Sequence, residues 1–290
     1  MNAQMAYLLG MILGNGEVQR NNRETTITID IPYKNLRDHN GLEVSVYVGA
    51  SLVDIRGIIE PLVGRELVVT QNRNSTKLSF IKKNEDYAIR EIMRFIGRGT
   101  HHRDMTMSEE LFLITSDEKR ELLRGIADVT GHIRRSNNAY GQDGAHRVYI
   151  EIPGNWSMVI SIANMLKQLD IPVQTINFGH PNFRDGKLKK YNEGKIDYWK
   201  KEHQIKIYAN EFMPVGFNIK HKQRALEQLT RELLEHMEPE KTHKFYWEKT
   251  RRNQNKPIHP GENDRSLPSE IRGQHFNSWQ DLAEVLGYHE

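Results

Sequence analysis

Two nine-residue segments with glycine at their third and ninth places constrain this chain more than any other feature. They are Leu8–Gly16 (LLGMILGNG) and Leu123–Gly131 (LRGIADVTG). Each closes an apolar stretch with helical spacing and runs directly into a predicted strand. Because the same sequence of elements follows both segments, the chain is predicted to be internally duplicated.

The glycines of these segments predict how the two helices meet. Gly10 and Gly14 lie four residues apart, and Gly125 occupies the place of Gly10 in the second copy. Small residues at this spacing let two helix backbones approach closely. We therefore expect the two helices to pack against each other at a pseudo-two-fold axis, with a small polar site where both helices end.

Hydrophobic periodicity predicts the remaining elements. In the first copy we expect helices at 3–13, 51–63 and 86–96 and strands at 26–31, 43–48, 66–71 and 77–81. In the second copy we expect helices at 116–129, 155–169 and 222–237 and strands at 132–136, 148–152, 173–178 and 204–208. Val18 has an even residue number and the apolar residues of 26–31 have odd ones, so one continuous strand could not place them on the same face. A turn or bulge near Asn21 must therefore separate them.

The two nine-residue segments resemble the motif of the LAGLIDADG homing endonucleases, and the resemblance covers roughly residues 1–237. It implies an α+β fold in which two tandem αββαββα repeats form a DNA-binding saddle, here followed by a C-terminal extension. The corresponding domains are residues 1–103, 104–237 and 238–290. The implied protein acts as a pseudo-symmetric monomer on double-stranded DNA.

The resemblance also implies a metal site, from which this chain departs. In the family the eighth motif residue is an acid that holds Mg²⁺ over the scissile phosphates, whereas this chain has Asn15 and Thr130 there. Both offer an oxygen, but neither supplies negative charge. Asp128, at the sixth motif place, is expected to be structural and not a ligand.

Three further residues are candidates for the cleavage chemistry. Glu17 and His132 directly follow the two motifs, so Glu17 is a candidate metal ligand with Asn15 and Thr130, and His132 is a candidate general base. The alternative is that both contact DNA or water. Lys220 matches the place before the family's last helix where a lysine lies near the cleavage centre, and it is a candidate catalytic residue. Its alternative is a phosphate contact.

The strand faces opposite the apolar residues are predicted to read DNA. They are rich in hydrogen-bonding groups of mixed charge, as base-edge readout in the major groove requires. The predicted contacts are Gln19, Thr26, Thr28, Asp30, Lys77 and Ser79 in the first repeat and Arg134, Ser136, Arg147, Tyr149, Glu151, Lys206 and Tyr208 in the second. An ordinary solvent-facing sheet is the alternative.

The C-terminal extension has two interpretations. Arg251 and Arg252 could extend the phosphate contacts beyond the sheets. Alternatively, Trp247, Trp279, Leu282 and Leu286 could pack an arm and a short helix onto the second repeat.

Composition excludes several classes of protein. The 290 residues contain no cysteine, which excludes disulfides, zinc fingers and thiolate catalysis. No apolar run reaches the roughly 20 residues that cross a bilayer, so we expect a soluble protein of the cytoplasm. The net charge of +3 permits a polyanionic partner without requiring one. Two functions stay open: a Mg²⁺-dependent site-specific endonuclease, of homing or restriction type, and a non-cleaving DNA-binding regulator or RNA maturase that binds structured RNA.

Overall fold

Two repeats of helices and antiparallel strands make up the protein. A computed structural model describes residues 1–33, 44–64, 67–97, 99–135, 146–178, 202–236, 268–277 and 279–289. The first repeat comprises α1 (Ala3–Asn15), β1 (Gly16–Arg20), β2 (Glu24–Pro32), α2 (Val44–Val63), β3 (Val68–Gln71), β4 (Ser75–Lys83) and α3 (Tyr87–Phe95). The order is therefore αββαββα, as predicted.

The second repeat has the same order with one added helical turn. It comprises α4 (Ser116–Thr130), β5 (Gly131–Arg134), β6 (Arg147–Pro153), α5 (Trp156–Gln168), β7 (Thr175–Asn177), β8 (Glu202–Tyr208), the short α6 (Ala209–Phe212) and α7 (Lys220–His236). A further helix, α8 (Trp279–Val285), lies in the C-terminal extension. The prediction of an α+β fold with two tandem αββαββα repeats is confirmed.

Each repeat contains one four-stranded antiparallel sheet. The strand order is β1-β2-β4-β3 in the first sheet and β5-β6-β8-β7 in the second. Apolar residues alternate along β2 and are fully buried at Ile27, Ile29 and Ile31, which places one face of that sheet on the core. Val18 of β1 pairs with Ile27 across a turn at 21–23. The predicted turn therefore lets Val18 lie on the same face of the sheet as Ile27.

The helices α1 and α4 pack directly against each other through glycine. A Cβ atom at Gly10 would overlap the carbonyl oxygen of Leu122, and one at Gly125 would overlap the carbonyl oxygen of Tyr7. Tyr7 and Leu122 each precede a motif glycine by three residues, so the contact is reciprocal. This reciprocity confirms the helix pair at a pseudo-two-fold axis.

One predicted strand is wrong. The alternation of Val44, Val46 and Val48 predicted a strand at 43–48, but α2 already begins at Val44. Val46 is 59% exposed, whereas Val48, Leu52 and Ile55 are buried at helical spacing. A short run of β-branched residues is therefore overridden by the longer helical pattern that follows it.

The C-terminal helix packs onto the second repeat. Leu282 and Leu286 are buried in the main core, and the side chain of Asn164 in α5 donates to the carbonyl oxygen of Gly287 at 3.0 Å. This confirms the packing interpretation for α8. Trp247, Arg251 and Arg252 lie outside the described residues. Within the described ranges, no helix is long and apolar enough to cross a membrane.

Candidate nucleic-acid interface

The side chains at the eighth motif places hold the two helix ends. Asn15 donates from Nδ2 to the carbonyl oxygen of Asp30 at 2.7 Å. Thr130 is buried and donates from Oγ1 to the carbonyl oxygen of Ile126, one turn earlier, also at 2.7 Å. Both residues therefore have structural hydrogen bonds at the positions where the family has metal-binding acids.

The predicted metal-binding set does not fit a Mg²⁺ ion. Glu17 is exposed on β1 and accepts a hydrogen bond from Nε2 of Gln19 at 3.0 Å. It would be the single anion among the three predicted ligands, since Asn15 and Thr130 are neutral, and Mg²⁺ sites are built on carboxylates. In the part of the chain that the structure describes, no three His, Asp or Glu side chains converge as a metal site would require. No step is therefore assigned to a metal held by Asn15, Glu17 and Thr130.

An acid occupies the same strand place in both repeats. The register pairs Gly16 with Ile29 and Gly131 with Ile150, so Asp30 and Glu151 follow these pairs by one residue, next to the ends of α1 and α4. Asp30 has one buried carboxylate oxygen, Oδ1, with no hydrogen-bond partner among the described residues. The two repeats thus share an acid beside each helix end, on the strand and not on the helix.

His132 is buried in the face of the second sheet. Its ring stacks on Tyr149, with centroids 5.1 Å apart and planes 5° from parallel. Its Nε2 lies 3.8 Å from Oε1 of Glu151, and Glu151 accepts a hydrogen bond from Nε2 of Gln204 at 2.7 Å. An imidazole beside a carboxylate has the chemistry of a general base, but only 3% of His132 is exposed.

Lys220 is engaged by the first repeat. Its Nζ lies 3.0 Å from Oδ2 of Asp54 in α2, and its backbone N–H donates to Oγ of Ser51 at 2.9 Å. Lys220 therefore joins the start of α7 to α2. Its catalytic role stays a prediction.

The face of the first sheet carries the predicted polar residues in rows. Across the strands the register pairs Gln19 with Thr26, Glu17 with Thr28, Thr28 with Ser79, and Asp30 with Lys77. All of them are exposed or partly exposed. Two apolar residues on this face were not predicted: Ile81 pairs with Thr26 and Val68 with Ser79, and they are 50% and 56% exposed. This face offers donors, acceptors and two apolar contacts.

The face of the second sheet carries the predicted basic and aromatic residues. Arg134 pairs with Arg147, Arg147 with Tyr208, Tyr149 with Lys206, and Glu151 with Gln204. Part of this face is not open as predicted, because Glu151 and Tyr208 are buried like His132. Alternation specifies which face a residue occupies but not what covers that face. Ser136 lies outside the described residues.

The linker between the two repeats (residues 99–105) pairs with the edge of the first sheet, and no sequence pattern predicts this pairing. Val18 donates its backbone N–H to the carbonyl oxygen of Thr100 at 2.6 Å, and His102 donates to that of Gly16 at 2.9 Å. This pairing places His101 opposite Glu17. Burial and the adjacent His101 lower the pKa of His102 to about 4, so His102 is neutral near pH 7.

The second repeat holds this linker from the other side. Asn155, the N-cap residue of α5, donates from Nδ2 to the carbonyl oxygens of His102 and Met105 at 3.0 and 2.8 Å. The same side chain accepts from the backbone N–H of Met158. The edge of the first sheet is therefore fixed to the second repeat through one buried asparagine.

The protein is thus a two-repeat α+β protein in which paired motif helices lead into two sheets with polar faces, which is the LAGLIDADG-like arrangement. No family model and no curated protein matches the chain. Among solved structures, mesophilic variants of the homing endonuclease I-DmoI are similar over 76% of this chain and 94% of theirs, at 15% identity and a TM-score of 0.39. I-DmoI in complex with DNA and Mn is similar over 73% of this chain and 92% of that one, at 16% identity and a TM-score of 0.39.

A second kind of structure shows a comparable likeness. Full-length DUF199/WhiA from Thermatoga maritima is similar over 83% of this chain and 63% of that one, at 14% identity and a TM-score of 0.40. Likenesses this distant carry no information about activity.

Proposed function

We propose that the protein binds double-stranded DNA through the polar faces of its two sheets and recognises a sequence in it. The observation that supports this is the register of the first sheet, which sets Gln19, Thr28 and Ser79 in rows on the face opposite the core. Rows of amide and hydroxyl groups match the donors and acceptors on base edges in the major groove.

The mixed charge of the faces favours base reading over simple attraction to the backbone. Asp30 and Glu17 stand on the same face as Lys77. Acids repel phosphates, but they accept hydrogen bonds from the amino group of cytosine. The exposed Ile81 and Val68 add apolar surface that suits thymine methyl groups. Because the two faces differ in sequence, the preferred site is expected to be asymmetric and bound by a monomer.

The test is selection from a pool of random DNA duplexes, followed by fluorescence anisotropy with the selected duplex. Gln19→Ala is expected to weaken binding about tenfold and to relax the preference at one base pair, since a good base contact contributes about 1–3 kcal/mol. The matched control is Gln228→Ala, which removes an exposed glutamine that bonds Glu232 on α7. Selection that yields no preferred sequence would overturn the proposal. Structured RNA as competitor tests the alternative of an RNA-binding maturase.

Site-specific DNA cleavage is a second candidate function, favoured by the carboxylates of Asp30 and Glu151 beside the two helix ends. Carboxylates are the hard-oxygen ligands that Mg²⁺ prefers, and Oδ1 of Asp30 has no hydrogen-bond partner among the described residues. A divalent ion held by these carboxylates together with oxygens of the scissile phosphates would neutralise charge on those phosphates. Glu17 is another acid on the same face of the first sheet.

Cleavage is tested with two separate readouts. Mn²⁺ binding is followed by electron paramagnetic resonance, and a supercoiled plasmid that carries the selected site is assayed for nicking and cutting. Asp30→Asn is expected to abolish both signals, while the protein still binds duplex DNA with a changed base preference at the position that Asp30 contacts. A wild-type protein that binds its site but neither binds Mn²⁺ nor forms product would be a DNA-binding regulator.

A further inference from the structure

Three cations surround two tyrosine rings on the face of the second sheet. The guanidinium of Arg134 lies 5.5 Å from the ring centroid of Tyr149, and that of Arg147 lies 5.7 Å from the centroid of Tyr208. Nζ of Lys206 lies 5.8 Å from the centroid of Tyr149. We call these five residues the cationic cluster.

The cationic cluster is electrostatically strained. Arg134 and Arg147 stand directly opposite each other on β5 and β6, a position in which like charges destabilise a sheet. Burial, and then Arg147 and Arg134, lower the pKa of Lys206 to about 8. Among the residues that the structure describes, neither Arg134 nor Lys206 forms an ion pair with an acid. Glu151, on the same face, accepts its hydrogen bond from Gln204.

The first repeat has no such cluster at the equivalent positions. The common register of the two sheets relates the cluster Arg134, Arg147, Tyr149, Lys206 and Tyr208 to Gln19, Thr26, Thr28, Ser79 and Ile81, in that order. All five counterparts are uncharged. The two halves of the proposed interface therefore differ in charge at every position where the cluster has a cation.

We infer that the cationic cluster binds phosphate groups of the DNA backbone, so that the second repeat anchors the duplex and the first repeat reads its bases. The inference rests on the proposed function and divides it between the two sheets. A bound phosphate would supply the negative charge that relieves the repulsion among the three cations. Stacking on tyrosine holds the arginine in position before the anion arrives, which reduces the entropy lost on binding.

The salt dependence of DNA binding measures this division. Each phosphate contact that is removed reduces the slope of log K against log salt by about 0.9. Arg134→Gln combined with Lys206→Met removes two contacts. When salt is raised from about 50 to 200 mM, the affinity of this double variant is therefore expected to fall about tenfold less than that of the wild type. Arg134→Lys keeps the charge and is expected to keep the slope. The matched control is Arg56→Gln on α2, where Arg56 donates a hydrogen bond to Glu60.

Variants in the first repeat test the other half of the inference, that this repeat reads the bases. Gln19→Ala and Thr28→Ala are expected to change the base preference and to leave the salt slope as it is. If the double variant in the cationic cluster, still folded by circular dichroism, keeps the wild-type slope, the inference is wrong although DNA binding stands. If the wild-type protein binds no duplex even at low salt, the proposed function itself fails.

Discussion

At the scale of single residues, Asp128 shows how one motif place acquired different roles in the two repeats. It is fully buried and accepts hydrogen bonds from the Tyr7 hydroxyl at 2.7 Å and from the backbone N–H groups of Asn218 and Ile219 at 3.2 Å. Lys222 donates to its carbonyl oxygen at 2.7 Å. Burial raises the pKa of Asp128, against the opposing effect of Lys222. Asp128 therefore fixes the segment that begins α7, as its predicted structural role requires.

Replacing Asp128 is expected to be far more costly than removing one of its donors. Asp128→Leu copies the first repeat, which has Leu13 at this place. It leaves the Tyr7 hydroxyl and two backbone N–H groups without their acceptor and removes the carboxylate charge near the buried Lys222. We expect a loss of about 3–5 kcal/mol in the free energy of unfolding. Tyr7→Phe removes one hydroxyl donor and is expected to cost about 1–2 kcal/mol. Urea unfolding measures both, and equal losses would contradict this account.

Lys206 is expected to destabilise the folded protein near neutral pH. Its folded pKa of about 8 lies below the ordinary value of 10.5, so the folded state loses the proton before the unfolded state does. The free energy of unfolding therefore rises between pH 8 and about 10.5. Lys206→Met should raise it by about 1 kcal/mol at pH 7, after allowance for solvent screening, and should reduce the rise toward pH 10. A variant less stable than wild type at pH 7 would refute the argument.

At the scale of elements, the pair of motif helices could be predicted from the sequence. Glycines four residues apart are a local signal, and their main structural effect is to let two helix backbones approach closely. Alternation is a local signal too, and it predicted strands in both sheets, but it misled at 43–48, where α2 begins. The register could not be predicted, and only the register places Asp30 and Glu151 at equivalent positions next to the ends of α1 and α4. The backbone pairing of the linker at Thr100 and His102 was missed because pairing of this kind depends on no side-chain pattern.

The closeness of α1 and α4 predicts opposite effects for two glycine substitutions. Gly10→Ala places a Cβ atom on the carbonyl oxygen of Leu122, so it should lower the free energy of unfolding by about 2 kcal/mol or more, as overpacked cores do. Gly57→Ala lies in α2, where the new Cβ would meet no atom within 4 Å outside its own stretch of helix, and it should raise stability by roughly 0.5–1 kcal/mol through helix propensity. Thermal and urea unfolding of both variants give the comparison. Two stabilising substitutions would mean that the helices are not in close contact.

At the scale of the whole molecule, one hydrophobic core joins both repeats and the end of the chain. It includes Leu9 of α1, Leu123 of α4 and Leu282 of α8. The extension is tied down further by Lys167, whose Nζ donates to the carbonyl oxygen of His289 at 2.8 Å. The sequence left two interpretations of the extension, since an amphipathic helix of seven residues fits either. Leu282 and Leu286 are buried, so α8 packs on the core. The phosphate contacts of the basic residues before α8 stay a prediction.

A shared core predicts that the protein unfolds in one cooperative transition that includes α8. Leu282 is fully buried, so Leu282→Ala should lower the free energy of unfolding by about 2–4 kcal/mol. Val285→Ala on the same helix is the control, because Val285 is 57% exposed and its loss should cost less than about 0.5 kcal/mol. Far-ultraviolet circular dichroism reports all helices, whereas tryptophan fluorescence reports Trp156 and the other indoles. Leu282→Ala should shift both unfolding curves equally. A shift confined to part of the signal would mean that α8 and the repeats unfold separately, and that the core does not act as one unit.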